Sequence, residues 1–89
     1  MVKAFILYHP NSENARTIEQ YTHDFESVHY AEIDKMSLET KEGAALATLY
    51  DITTYPALLV LRDDSRQLVK AWQGLPMPLM DELAGYMRA

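Results

Sequence analysis

Three histidines, a serine at a turn and a scatter of carboxylates are the side chains here that could do chemistry. His9, His23 and His29 raise the question of a metal, but no two stand four residues apart on one helix, and no neighbouring carboxylate completes a ligand spacing. They read as surface or loop histidines, and no metal is expected. His9 stands apart from the other two, because it follows the first apolar run, at the strand end where open α/β sheets place their ligands. Its simpler role is to stack on Pro10. Ser12 reads first as a helix N-cap, with Glu13 well placed in the first turn. Its second role would be in anion binding: the backbone N–H groups of Ser12, Glu13 and Asn14, the Asn11 amide and the Arg16 guanidinium could hold a carboxylate or phosphate, with Glu13 opposing. Glu32, Asp34, Asp63 and Asp64 make no acid–base dyad, since Asp63 and Asp64 are adjacent in a polar turn. No catalytic residue is assigned.

The elements that must position these groups follow from periodicity. Val2 to Tyr8 is nearly continuously apolar, as a strand covered on both faces should be. Ser12 then predicts a helix start, and Ala15, Ile18, Thr22 and Phe25, widened by Tyr21, give it one apolar face ending near Phe25. Alternation over Val28 to Asp34 predicts a second strand, parallel to the first at the spacing of a right-handed βαβ unit. Leu38, Glu42, Ala45, Leu46 and Leu49 predict a second helix with Ser37 as its cap and Gly43 as a mild weakness. Ala57 to Leu61, a polar turn over Arg62 to Arg66, and Gln67 to Gln73 predict a hairpin. Gly74 ends its second strand, and Pro76 and Pro78 precede a last helix whose buried stripe is Leu79, Met80, Leu83 and Met87. Trp72, Met77 and Met80 read as packing residues.

Composition closes several classes. The chain has 89 residues, 48% of them hydrophobic and 24% charged, which suits one folded domain over 1–89. It has no cysteine, which removes disulfides, thiol nucleophiles and sulfur-ligated zinc. Thirteen acidic against eight basic residues give a net charge of −5, which opposes nucleic-acid binding. The longest aliphatic run, Ala57 to Leu61, is far short of a bilayer span, and no signal-peptide pattern is seen. A cytoplasmic location away from the membrane is the expectation.

Asp51-Ile52-Thr53-Thr54-Tyr55-Pro56-Ala57-Leu58-Leu59-Val60-Leu61 resembles the helix-to-strand connection of the thioredoxin superfamily, which reads Tyr-Gly-Ile, a few variable residues, Pro, Thr, then an apolar strand. Ala31-Glu32-Ile33-Asp34 and Gln73-Gly74 extend the resemblance to essentially the whole chain. It implies an α/β, thioredoxin-like fold, β-α-β-α-β-β-α, with a four-stranded mixed sheet in the order 2-1-3-4 and helices on both faces. It also implies a cis peptide bond before Pro56. Where active members carry Cys-x-x-Cys, this chain reads Ser12-Glu13-Asn14-Ala15. A serine hydroxyl there forms no disulfide and is not ionised at neutral pH, so thiol–disulfide exchange is excluded. A shorter stretch, Leu7-Tyr8 with Pro10-Asn11-Ser12 and Ala15, resembles the KaiB family of circadian clock proteins, which share the fold without the redox pair and bind other proteins.

The resemblance implies a peptide-binding groove formed by His9, Pro10, Asn11, Ser12, Tyr55 and Pro56, in which the Tyr55 backbone pairs with an extended partner. A redox-inactive module that binds a protein or peptide, with no cofactor, is therefore the expected function. The alternative is a small-molecule-binding or transferase-like protein holding a thiol cofactor such as glutathione on Ser12 or Tyr8. Against it, Gly74-Leu75-Pro76 stands where a Gly-Asp or Ser-Asp signature would be expected.

Overall fold

The computed structural model describes residues Val2 to Arg88. Its elements are β1 (Val2–Tyr8), α1 (Ala15–His29), β2 (Ile33–Ser37), α2 (Lys41–Leu49), β3 (Ala57–Arg62), β4 (Leu68–Gln73) and α3 (Met80–Met87). The strands form one sheet in the order β2-β1-β3-β4, with β1 parallel to β2 and antiparallel to β3, and β4 antiparallel to β3. Topology and order match the expected thioredoxin-like arrangement.

The central strands carry apolar residues on both sides because both sides are covered. Ala4, Ile6 and Tyr8 of β1, with Leu58 and Val60 of β3, pack under Ile18 and Phe25 of α1 and Leu83 and Ala84 of α3. The alternate residues Phe5, Leu7, Ala57, Leu59 and Leu61 pack with Ala47 of α2 and Ile52. Each fully buried aliphatic or aromatic side chain contributes about 1.5–3 kcal/mol, so these two layers hold the sheet in place.

Several local expectations are corrected. α1 runs a full turn past Phe25 and includes Val28 and His29, so β2 starts at Ile33 rather than Val28. Alternation over seven residues is compatible with a helix end followed by a turn, and here tertiary contacts decide between them. Tyr30 ends α1 in the left-handed region at φ 54°, its N–H donating to the Glu26 carbonyl, and the Glu26 carboxylate accepts from the Ile33 N–H. His29 is therefore a partly buried helix residue rather than a surface one, its ring tilted on Phe25. Ser12 does not cap α1: Asn14 holds that position without a side-chain bond, and the first turn has no acidic residue, so Glu13 lies outside it. Ser37 does not cap α2. Thr40 does, its Oγ1 accepting from the Gly43 N–H at 3.0 Å.

Gly43 is a requirement rather than a weakness, because a Cβ there would collide with the Ser37 carbonyl oxygen and lie 2.9 Å from its carbon. That close approach lets α2 start directly over the end of β2. In α3, Leu83 and Ala84 are buried, whereas Leu79 precedes the helix and is exposed. Among the described residues, no helix is long and apolar enough to cross a membrane.

Candidate functional site

At the carboxyl end of β1 the chain turns sharply before α1. The Ser12 N–H donates to the His9 carbonyl at 3.0 Å, and the Ser12 hydroxyl donates to the same oxygen at 2.7 Å. The Ala15 N–H then donates to the Ser12 carbonyl. Ser12 thus closes the turn that feeds α1, in an Ser/Thr-turn use of its hydroxyl. This also removes the Ser12 N–H from the donors proposed for an anion.

The second half of the site is the loop from α2 to β3. The Gln73 side-chain carbonyl accepts from the N–H groups of Thr53 and Thr54 at 3.1 and 3.2 Å, tying the loop to the end of β4. The Gly74 N–H donates to the Pro56 carbonyl at 2.7 Å, with Gly74 at φ 80°, a conformation open to glycine at no steric cost. The Tyr55–Pro56 and Leu75–Pro76 peptide bonds are cis. The Tyr55 ring stands edge-on to the His9 ring, 5.7 Å between centroids, and its hydroxyl donates back to the Ile52 carbonyl.

These contacts bring His9, Ser12, Tyr55 and Pro56 together with Tyr8 and Asn14 around a dent of about 60 Å³. Pro10 and Asn11 are exposed on the same turn but do not line it. Burial, and secondarily the charge of Glu19, pushes the Tyr8 phenol above its ordinary value, so it is a neutral hydroxyl at physiological pH. Among the described residues, none hydrogen-bonds the Tyr55 backbone N–H or C=O. Trp72 stands elsewhere: its Nε1 donates to Glu82 at 3.0 Å and its ring meets Tyr86 edge-on. Tyr8 and Tyr55 are thus brought together without it. Met77 and Met80 pack against the layer beneath α1 and α3. No three His, Asp or Glu side chains among the described residues converge as a metal ion would need.

Asn14, Gln73 and Gly74, which the groove expected from the sequence did not include, also frame this site. Asn14 lines the dent, and Gln73 and Gly74 tie the α2–β3 loop to the end of β4, with exposed Leu75 following. Only the glycine could have been singled out, since a glycine ending a strand often marks a backbone close to something else.

No family model matches the chain, and no curated protein matches it in sequence. In three dimensions it is similar to oxidised thioredoxin from Plasmodium falciparum, at 13% identity over 99% of this chain and 82% of that one, with a TM-score of 0.72. Thioredoxin O2 from Arabidopsis thaliana in its oxidized state superposes at 0.71, with 10% identity, over 99% of this chain and 73% of that one. A mutant thioredoxin from Halobacterium salinarum gives 0.71 with 21% identity over 94% and 69%. At such identities the likeness is one of fold. The chain has a thioredoxin-like fold and contains no cysteine.

Proposed function

We propose that this chain is a redox-inactive thioredoxin-like module that binds an extended segment of a protein or peptide in the groove between the His9–Ser12 turn and Tyr55–Pro56. The observation that carries the reading is the unengaged backbone N–H and C=O of Tyr55, at the edge of a dent lined by His9, Ser12 and Pro56. A peptide strand satisfies such a pair by main-chain hydrogen bonds, and a side chain of the peptide fills the dent. Exchange chemistry has no thiol to start from, and the Ser12 hydroxyl is spent on the His9 carbonyl.

Size argues against the thiol-cofactor reading. A dent of about 60 Å³ is far below the roughly 300–1,000 Å³ of sites that enclose a small molecule. It suits one side chain of a ligand whose remaining contacts lie along the surface.

Selection of peptides from a random library on the immobilised chain, followed by amide-shift mapping, tests the proposal. The expected footprint covers His9, Ser12, Tyr55 and Gly74, and Leu75→Asp, exposed next to the Gly74 that bonds Pro56, weakens binding about tenfold, or 1.4 kcal/mol. A selected peptide whose shifts fall elsewhere, or a library that returns no binder, overturns it.

A further inference from the structure

The dent between the two loops has a lining that distinguishes among the side chains a peptide can bring to it. Three of its residues are aromatic, Tyr8, His9 and Tyr55, and the His9 and Tyr55 rings stand at 82° to one another. Ser12 and Asn14 add polar atoms, and no lysine or arginine lines it. The Ser12 hydroxyl already donates to the His9 carbonyl, so its oxygen has only lone pairs left to offer. Asn14 stands at the N-cap of α1 without a side-chain cap bond, which leaves its amide carbonyl available. Tyr8 is a neutral phenol, raised by burial and then by the charge of Glu19 on α1, and its oxygen also accepts.

These groups favour a cation over an anion. Aromatic rings carry negative faces, the acceptor oxygens come from Tyr8, Ser12 and Asn14, and the charge that reaches Tyr8 is that of a carboxylate. The donors an anion needs are few, since the Ser12 N–H and hydroxyl both go to the His9 carbonyl. Glu13 and Arg16, exposed on the same stretch, do not line the dent. An aliphatic side chain would cover the same polar atoms and leave them unpaired. Size then separates the two basic side chains. A dent of about 60 Å³ suits the compact ammonium, a point charge with three donors, whereas a guanidinium is a wide planar fork with five.

We propose that the dent receives the ammonium group of a lysine in the bound peptide. The proposal rests on the groove assigned above and names the residue that seats in it. The ammonium donates to Ser12 Oγ, the Asn14 side-chain carbonyl and the Tyr8 oxygen, with the His9 and Tyr55 rings beside it. Glu19, exposed on α1, adds an attraction that salt screens.

Peptides selected on the immobilised chain are the probe, each remade with its lysine replaced by arginine or by norleucine, which keeps the alkyl chain and removes the charge. Peptides that map to the groove are expected to carry a lysine, and both replacements to bind about tenfold more weakly. Glu19→Gln, an exposed change between good helix formers, is expected to weaken the lysine peptide about two- to fivefold and to leave the norleucine peptide unchanged. Groove binders without lysine, norleucine or arginine peptides as tight as the lysine ones, or an equal effect of Glu19→Gln on the lysine and norleucine peptides overturn the lysine pocket and leave the groove standing. A library without binders, or shifts that fall elsewhere, overturns both.

Discussion

The two faces of this sheet are built from alternate residues of the same strands, yet they are finished differently. On the α1–α3 face, Phe25, Ile18 and Leu83 close fully over Ile6, Leu58 and Val60. On the α2 face, Ala47 is the buried contact of a short helix, Phe5 retains some exposure, and a cleft stays open. Strand sequence alone does not distinguish them, because both sets are apolar. The number and length of the helices that land on each face make the difference.

The sharpest way to break this comparison is to remove one large side chain from each face. Phe25→Ala on the closed face should cost about 3–5 kcal/mol, as lost transfer energy and an unfilled cavity add. Leu49→Ala on the open face, where the side chain is largely exposed, should stay within about 0.5 kcal/mol. Chemical denaturation of both variants checks this, and equal costs would mean that the open face is as well packed as the other.

A second variant probes how α2 is seated. Gly43→Ala would gain about 1 kcal/mol in an isolated helix, but its Cβ meets the rigid Ser37 carbonyl. Overpacking of that kind costs about 1–3 kcal/mol, so net destabilisation is expected. A stabilised variant, read by thermal melting, would show that α2 can slide away from β2.

The smallest effect is a pH slope belonging to the closed face. The Tyr21 hydroxyl donates to the Pro78 carbonyl at 2.8 Å, and burial, then the charge of Glu82, pushes its pKa from 10.0 up to about 12. Between these values the unfolded chain releases a proton that the folded chain keeps. Stability from this group is therefore complete below about pH 10 and is lost as pH rises through about 12, solvent at the half-exposed ring keeping the slope shallow. Tyr21→Phe should flatten stability measured across that window, leaving the contribution of Tyr8, which is raised in the same direction. An unchanged slope would mean that Tyr21 is not its source.

Ser12 and Thr40 show what kind of information was legible and what was not. Both are hydroxyl residues ahead of a helical pattern, yet the pattern points to Ser12 and Ser37 as the caps and not to Thr40. Thr40 is one, donating meanwhile to the Ser37 carbonyl at 2.8 Å. Ser12 instead closes a turn on His9, since α1 begins three residues later. A cap is defined by where the helix axis starts, and that depends on how the helix lands on the sheet. The α1–β2 boundary is displaced for the same reason: alternation over Val28 to Asp34 does not reveal that Tyr30 turns left-handed. His9, Ser12, Tyr55 and Pro56 of the candidate groove were visible as residues around the two predicted loops. The role of Gln73 was not, because nothing local marks a side chain that braces a loop twenty residues away.

The sequence by itself determined the order of strands and helices, through runs of apolar residues whose period is set by backbone geometry. It also determined the absence of thiol chemistry, because residue type alone decides whether a thiolate can form. Tertiary structure decided the rest: which hydroxyl caps a helix, which glycine must remain a glycine, and that the two loops meet in a dent the size of one side chain. These depend on distances between groups far apart in the chain, which are fixed only when both faces of the sheet are packed.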